Sequence, residues 1–300
     1  YNVIGQNNTY LGYNAGYGAS GQSNSYNTAI GKDAMFAVTT GNYNTAVGLS
    51  SADALTTGEG NVCIGVSALG TATTEQYNVA VGTNAMSAVR NDASDYNIAI
   101  GQNAATGGAG AMIGCVAIGN NAMDATAGNA QTGTIAIGQD ALTALTSGVR
   151  NTVVGYQALL AAQTNYDTIA IGYGAMAGTN SVNSKFNVAI GNYALDSASL
   201  TGDNTVAIGY NAGTLTTAGD NTFVGSYAGD INTGGNKNTL IGTYSDGSAA
   251  GAVNQTAIGY GTQGQADNSV TLGDGNVTAV YMASDSGATV HCAGVQVGST

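Results

Sequence analysis

Proline and tryptophan are absent from this chain of 300 residues, and charged side chains make up only 7% of it. Soluble domains usually carry about 25% charged residues. Without proline, the chain does not have the composition of collagen. Only 5 basic residues stand against 17 acidic ones, for a net charge of -12, which argues against binding to nucleic acid or to an anionic membrane surface. No apolar run is long enough for a membrane-spanning helix, so membrane insertion is not expected.

Glycine, in contrast, is abundant: the chain has 47. Through most of the chain an Ile, Val or Leu is followed by Gly, with Ala commonly three residues later, and this motif returns every 16 to 19 residues. Such self-similarity indicates a solenoid of stacked coils. The glycines of the motif are Gly12, Gly31, Gly48, Gly65, Gly82, Gly101, Gly119, Gly138, Gly155, Gly172, Gly191, Gly209, Gly225, Gly242 and Gly259.

The residues before each repeat glycine predict a short β-strand. Positions -1 and -3 are apolar or Thr, position -2 is commonly Ala, and position -4 is commonly Asn. Alternate residues of a strand share a face, so positions -1 and -3 point away from position -2. We predict that position -1 contributes to a thin core, as at Ile30, Ile100, Ile190, Ile208 and Ile258.

The segment after each repeat glycine commonly reads G-x-x-A followed by Leu or Met. We interpret it as a second short strand, so that about 15 coils of about 18 residues stack into parallel sheets. At ~4.8 Å per coil the rod would be roughly 70 Å long. The Asn residues either form a ladder of stacked amides or serve turn geometry alone, and both alternatives stay open.

The alanines at position -2 would form a flat, narrow apolar surface. We predict that copies of the chain pack together through it as a homotrimer. The alternative is a monomeric solenoid whose alanines face solvent. The residues of this predicted trimer face are Ala29, Ala46, Ala80, Ala99, Ala117, Ala136, Ala170, Ala189, Ala207 and Ala257.

Catalytic and metal-binding residues are scarce. The only His, His291, is next to Cys292, and adjacent residues of a strand point to opposite faces, so no Cys–His pair is expected. Cys63 and Cys115 take places that small residues hold in other coils, and we predict free thiols. Aspartates in turns are expected to bind their own backbone. These aspartates include Asp33, Asp140, Asp203 and Asp220. We predict no enzymatic activity, no cofactor and no metal site.

Tyrosine is the most suggestive exposed residue type, since its ring offers a flat face to sugars or stacks on another ring. Several tyrosines follow the repeat glycine by one or two positions. They are candidates for surface recognition or for a structural ladder: Tyr156, Tyr173, Tyr193, Tyr210 and Tyr227.

Strings such as Asn204-Thr205-Val206-Ala207-Ile208-Gly209 resemble the head repeats of trimeric autotransporter adhesins of the YadA type. Longer strings, such as residues 40–48, are similar to repeats of phage tail fibres. The resemblance covers residues 1–273. It implies a left-handed parallel β-roll, three chains side by side on one axis, and a role in attachment. The coil is longer here than in the autotransporter heads, which favours the phage fibres.

The period breaks after residue 273, and residues 274–300 are predicted to be a β-rich neck or transition segment, part of a longer chain. The leading hypothesis is a phage tail fibre segment, and the expected location is the virion or, alternatively, the extracellular cell surface. Its expected partners are itself, other tail or fibre proteins, and a host cell-surface glycan or protein receptor. The alternatives are a bacterial surface adhesin, a polysaccharide-cleaving tailspike and an ice-binding solenoid.

Overall fold

The structure is a computed structural model, and it describes residues 5–18, 22–90, 93–108, 110–124, 130–178, 182–197 and 200–280. Within these ranges the chain is all-β and contains no helix. Its coils stack as a parallel β-solenoid in which one short strand per coil joins a single long sheet. The solenoid predicted from the repeat is therefore confirmed.

Sixteen strands form the main sheet, and two further pairs of strands form small sheets at its side. The main strands are β1 (Thr9–Leu11), β2 (Thr28–Ile30), β3 (Thr45–Val47), β4 (Val62–Ile64), β5 (Val79–Val81), β6 (Ile98–Ile100), β8 (Val116–Ile118), β10 (Ile135–Ile137), β11 (Thr152–Val154), β13 (Ile169–Ile171), β15 (Val188–Ile190), β16 (Val206–Ile208), β17 (Thr222–Val224), β18 (Thr239–Ile241), β19 (Thr256–Ile258) and β20 (Val270–Leu272). The small sheets pair β7 (Met112–Ile113) with β9 (Gln131–Thr132), and β12 (Thr164–Tyr166) with β14 (Val182–Lys185).

Equivalent residues of successive coils pair in register along the main sheet. Ala29 lies opposite Ala46, and Ile30 lies opposite Val47. The same alignment continues from β1 to β19, so the sequence repeat maps directly onto the strand register. Such stacking gives each coil contacts mainly with its two neighbours.

The repeat glycine ends each strand because nothing larger fits there. These glycines adopt φ between 133° and 146°, a conformation that side chains of L-residues rarely allow. A Cβ on Gly138 would also overlap the carbonyl oxygen of Gly155 on the next coil. The glycine is thus required both for its backbone conformation and for close stacking.

The alanines at position -2 point into the solenoid, and the prediction that they form an outer trimer face is wrong. Each alanine predicted for that face, from Ala29 to Ala257, is completely buried within the single chain. They share the core with the Ala and the Leu or Met that follow the repeat glycine, such as Ala34 and Met35. Because these side chains fill the narrow interior from the other side, the strand has room only for a small residue.

The two aromatic residues at position -2 occur where the opposite residue is glycine. Phe223 is fully buried, and a Cβ on Gly213 or Gly229 would collide with its ring. Other coils carry Leu or Met at the place of these two glycines. At the first strand, Tyr10 takes the same inward position and lies against Gly16. In these coils the larger ring is therefore compensated by glycine on the other side of the core.

The segment after the repeat glycine does not form the second strand that we predicted. It makes turns in which every second residue has a positive φ, as at Asp33 (55°) and Met35 (50°). Its backbone groups still bond to the next coil: Met35 N–H donates to the Ser51 carbonyl at 2.9 Å. The alternation of left- and right-handed conformations prevents a β ladder, although the segment stays hydrogen-bonded.

The asparagines at position -4 form a buried ladder, so one of the two open alternatives is confirmed. The Oδ1 of Asn27 accepts the backbone N–H of Asn44 at 2.9 Å, and Asn44 does the same for Asn61. Each Nδ2 also donates to a carbonyl, as Asn44 does to Gly58 at 2.8 Å. Cys115 replaces Asn and still donates its N–H to Asn97.

The main sheet ends with β20, close to the boundary predicted at residue 273. Residues 276–280, which we expected to begin a strand, contain none and are exposed. The predicted strand residues after 280, and with them His291 and Cys292, lie outside the described part of the chain.

Candidate interaction surfaces

The outer face of the main sheet is apolar and uncovered. It carries the residues at positions -1 and -3, and isoleucines along its length keep 36% to 40% of their surface exposed, among them Ile30, Ile100, Ile190, Ile208 and Ile258. We expected such residues in the core, and this expectation is wrong. Alternation in the strand was predicted correctly, but its inward and outward faces were exchanged.

This face is also long, flat and without charge. Sixteen strands at ~4.8 Å give a length of roughly 70 Å. None of the sixteen strands contains a charged residue. A monomeric soluble protein rarely exposes a continuous apolar patch larger than a few hundred Å². The outer face therefore has the character of an interface.

Seven tyrosines form a continuous ladder along one edge of the solenoid. Successive ring centroids lie 5.1 to 6.5 Å apart, and both stacked and edge-to-face pairs occur. The structure thus brings together the five tyrosines singled out from the sequence. It adds Tyr244 and Tyr260, the latter with 70% of its surface exposed.

Contacts within this ladder raise the pKa of two of its tyrosines. Hydrogen bonding to Tyr173 raises the pKa of Tyr193, and burial together with a hydrogen bond to Tyr210 raises the pKa of Tyr227. Stacked rings such as Tyr156 and Tyr173 cover one face of each other. The ladder stabilises coil stacking, and its free edges remain available to solvent.

A second group of aromatic residues, which sequence reasoning missed, lies immediately before the asparagine ladder. Tyr26 stacks on Tyr43 with ring centroids 5.0 Å apart, and Tyr77 stacks on Tyr96 at 5.3 Å. The signal was available, since an aromatic residue precedes the ladder asparagine in each of these coils. All four have positive φ, which an aromatic residue seldom adopts.

The four turn aspartates named from the sequence accept hydrogen bonds from the neighbouring coil. We expected them to bind their own backbone, and for these four residues the expectation is wrong. Asp33 accepts from Asn14 at 2.9 Å, and Asp220 accepts from Asn204 at 3.2 Å. Asp203 accepts the backbone N–H of Lys185 at 2.7 Å. Asp140 ends a row of side-chain amides that runs through Asn84, Asn103 and Asn121. These carboxylates support the stacking of coils.

One aspartate has a strongly shifted acidity. Burial, with the charge of nearby Asp230 as the second cause, raises the pKa of Asp246 to about 6. Paired carboxyl groups of this kind are used by glycosidases. The Asp246 side chain is only half-buried, and its neighbour belongs to the next coil of the same stack. We therefore assign the raised pKa an effect on folding stability and no catalytic role.

The two described cysteines are buried free thiols, as predicted. Burial raises the pKa of Cys63 to about 12, so this thiol stays protonated and unreactive.

In the described ranges no cluster of three or more His, Cys, Asp or Glu side chains could hold a metal ion. Nor do these ranges contain a helix that is long and apolar enough to cross a membrane. No protein-family model matches the chain, and no curated protein matches it.

Proposed function

We propose that this protein is a segment of a homotrimeric fibre, a left-handed β-roll that serves attachment to a host cell surface, as in a phage tail fibre. The observation that carries the proposal is the uncovered outer face of the main sheet. Burial of apolar surface is the main driving force for association, and this face consists of Ile, Val, Leu and Thr side chains without a charged residue. We propose that the same face of other copies of the chain packs against it.

The geometry of the face favours copies that run parallel to one another. The exposed residues repeat with the coil spacing, so a parallel copy meets an isoleucine, valine or leucine at every step of the stack. One flat face per chain, turned toward a common axis, closes the assembly at a small number of chains. Three chains and the left-handed coil are taken from the resemblance to adhesin heads and tail fibres.

Attachment is proposed because a stiff rod without a described catalytic group is suited to hold binding ends at a distance. The virion is then the location, and other fibre proteins and a host surface glycan or protein are the partners. The longer coil favours the phage fibre. A bacterial trimeric surface adhesin remains the alternative, and the domains next to this segment in the full-length protein separate the two.

The trimer is tested by light scattering coupled to size exclusion at micromolar concentration. The unaltered chain is expected at three times the monomer mass. Ile171→Asp combined with Ile190→Asp places charges on adjacent strands of the outer face and is expected to yield monomer. Leu215→Asp is the matched control, because Leu215 is exposed but lies in a turn. A stable monomer of the unaltered chain overturns the proposal.

The attachment role is separated from a polysaccharide-cleaving tailspike by incubation with a panel of bacterial capsules and lipopolysaccharides. Retention of the chain without release of shorter saccharides supports a fibre. Saccharide release that is abolished by Asp246→Asn supports the tailspike instead, because this carboxyl has the raised pKa that an acid catalyst requires.

A further inference from the structure

A small recess with cationic and aromatic walls lies beside the extra sheet formed by β12 and β14. In this sheet Tyr166 pairs with Lys185, which places both side chains near the loop edge of the solenoid. Phe186 follows Lys185 and exposes 53% of its surface. Together with Arg150 and Asp167 these residues line a cavity of about 230 Å³.

Of the two cations in the recess, Arg150 is paired with an acid and, within the described part of the chain, Lys185 is not. Arg150 binds Asp167 through two parallel hydrogen bonds, Nε to Oδ1 at 2.5 Å and Nη2 to Oδ2 at 2.7 Å. This contact engages both oxygens of Asp167 and leaves the Nη1 donors of Arg150 unused in that pair. The chain thus compensates the one acid that lines the recess.

Lys185 supplies a cation that no described acid pairs with. Its Nζ lies 5.7 Å from the ring centroid of Tyr166, a cation–π distance. The nearby carboxylate of Asp203 is held by the backbone N–H of Lys185 at 2.7 Å, and within the described ranges Nζ forms no ion pair. Only five basic residues exist in the chain, and two of them line this one recess.

We infer that this recess binds a saccharide unit that carries one acidic group, a carboxylate or a phosphate. Lys185 Nζ and the free N–H groups of Arg150 would face the acid, and the rings of Tyr166 and Phe186 would cover the apolar face of the sugar. The inference rests on the proposed attachment function and gives the receptor a chemical class. A cavity of this size admits a single sugar ring, so the site would bind one unit of a longer glycan.

The rings favour a saccharide over an acidic peptide. Phe186 directly follows Lys185 and keeps about half of its surface exposed to solvent. A peptide carboxylate would need the cation alone. Two flat apolar rings beside a cation match a ligand that has an apolar face and an anionic group on the same unit.

The test is calorimetric titration of the full chain with 3′-sialyllactose, glucose 1-phosphate and neutral lactose. At least one acidic probe is expected to bind, and lactose is expected to bind about tenfold more weakly or less, since it lacks the charge-assisted hydrogen bond. Equal binding of lactose overturns the inference, as does binding of neither acidic probe. Oligoglutamate is the peptide probe, and its binding in place of the sugars also overturns it.

Substitutions assign the binding to the recess. Lys185→Met is expected to weaken the acidic probe about tenfold, and Lys185→Arg should retain most of the affinity. Lys237→Met is the matched control, because it removes the same charge from another coil. Phe186→Asn removes the ring with a residue that tolerates positive φ, and it should weaken all sugars. Unchanged binding in Lys185→Met overturns the inference, provided that circular dichroism shows an intact fold.

Failure of this inference can be distinguished from failure of the proposed function by light scattering on the same samples. A trimer that binds no acidic probe leaves the fibre proposal standing and overturns only the acidic-saccharide site. A monomer that binds the acidic probes through Lys185 leaves the acidic-saccharide site standing and overturns the fibre proposal.

Discussion

At the scale of single residues, the repeat glycine has the most restrictive role in the molecule. Its φ lies outside the range that other residues adopt, and its Cα stands against the backbone of the next coil. Both constraints act at every coil, which explains why the residue type does not vary among the fifteen repeats. Neither constraint involves a ligand.

Gly138→Ala is expected to destabilise the chain by more than about 3 kcal/mol, because the new Cβ overlaps the carbonyl oxygen of Gly155 and the backbone is strained. Thermal unfolding followed by circular dichroism measures the effect. Gly251→Ala is the control, since a Cβ at Gly251 meets no other atom. Equal melting temperatures for the two variants would contradict the assigned role.

The raised pKa of Asp246 predicts an unusual pH dependence of stability. The folded chain holds this proton with a pKa of about 6, against 3.8 for an ordinary Asp. The stabilisation is therefore complete below pH 3.8 and is lost as the pH rises through 6. We expect a loss of about 1 kcal/mol, because a half-exposed side chain is partly screened by solvent.

Urea unfolding at several pH values between 4 and 7 measures this dependence. Asp246→Asn should remove it, and Asp230→Asn should reduce it by removing the neighbouring charge. A pH profile of Asp246→Asn that matches the unaltered chain would show that another group is responsible.

At the scale of elements, each coil is a three-residue strand facing a turn across a narrow core. The strand contributes one inward side chain, and the turn contributes two. In most coils Ala in the strand accompanies Leu or Met in the turn, whereas Phe223 accompanies Gly229. The side-chain volumes that the strand and the turn place in the core therefore depend on each other.

This linkage predicts strong coupling between Phe223 and Gly229. Phe223→Ala should cost about 3–5 kcal/mol by opening a cavity, and Gly229→Leu should be destabilising because its side chain meets the ring. In the double variant the Leu fills the cavity, so the combined loss should be smaller than the sum by about 1 kcal/mol or more. Chemical denaturation of the four chains measures the coupling, and additive losses would refute it.

At the scale of the whole molecule, the solenoid is a nearly one-dimensional stack. Each strand of the main sheet pairs only with the strands before and after it. Stability of such a stack is the sum of coil and neighbour contributions, so no single coil is indispensable. Length can vary without a change of fold.

Deletion of residues 62–78, one complete coil of 17 residues, is expected to give a folded chain. Strand β3 would then pair with β5 in the same register, with Ala46 opposite Ala80. The melting temperature should change by only a few degrees, and small-angle scattering should show a rod ~4.8 Å shorter. Deletion of residues 70–78 is the control, because half a coil breaks the register and should prevent folding.

The sequence by itself determined the repeat, the position of the main-sheet strand before each repeat glycine, the need for glycine and the alternation of side chains along that strand. These properties depend on local backbone geometry and on the spacing of residue types. It also predicted the asparagine ladder as one of two alternatives, since the position recurs once per coil. The aromatic residues before that ladder were visible too, but their stacking depends on the register between coils.

Only the tertiary structure decided which face of the strand is inside. Alternation fixes that Ala29 and Ile30 point in opposite directions, but it does not state which direction is the core. That choice depends on the distance between strand and turn across the coil, where Met35 already fills the space. The small residue is therefore buried and the large one is exposed, and the surface available to other copies of the chain is the isoleucine face.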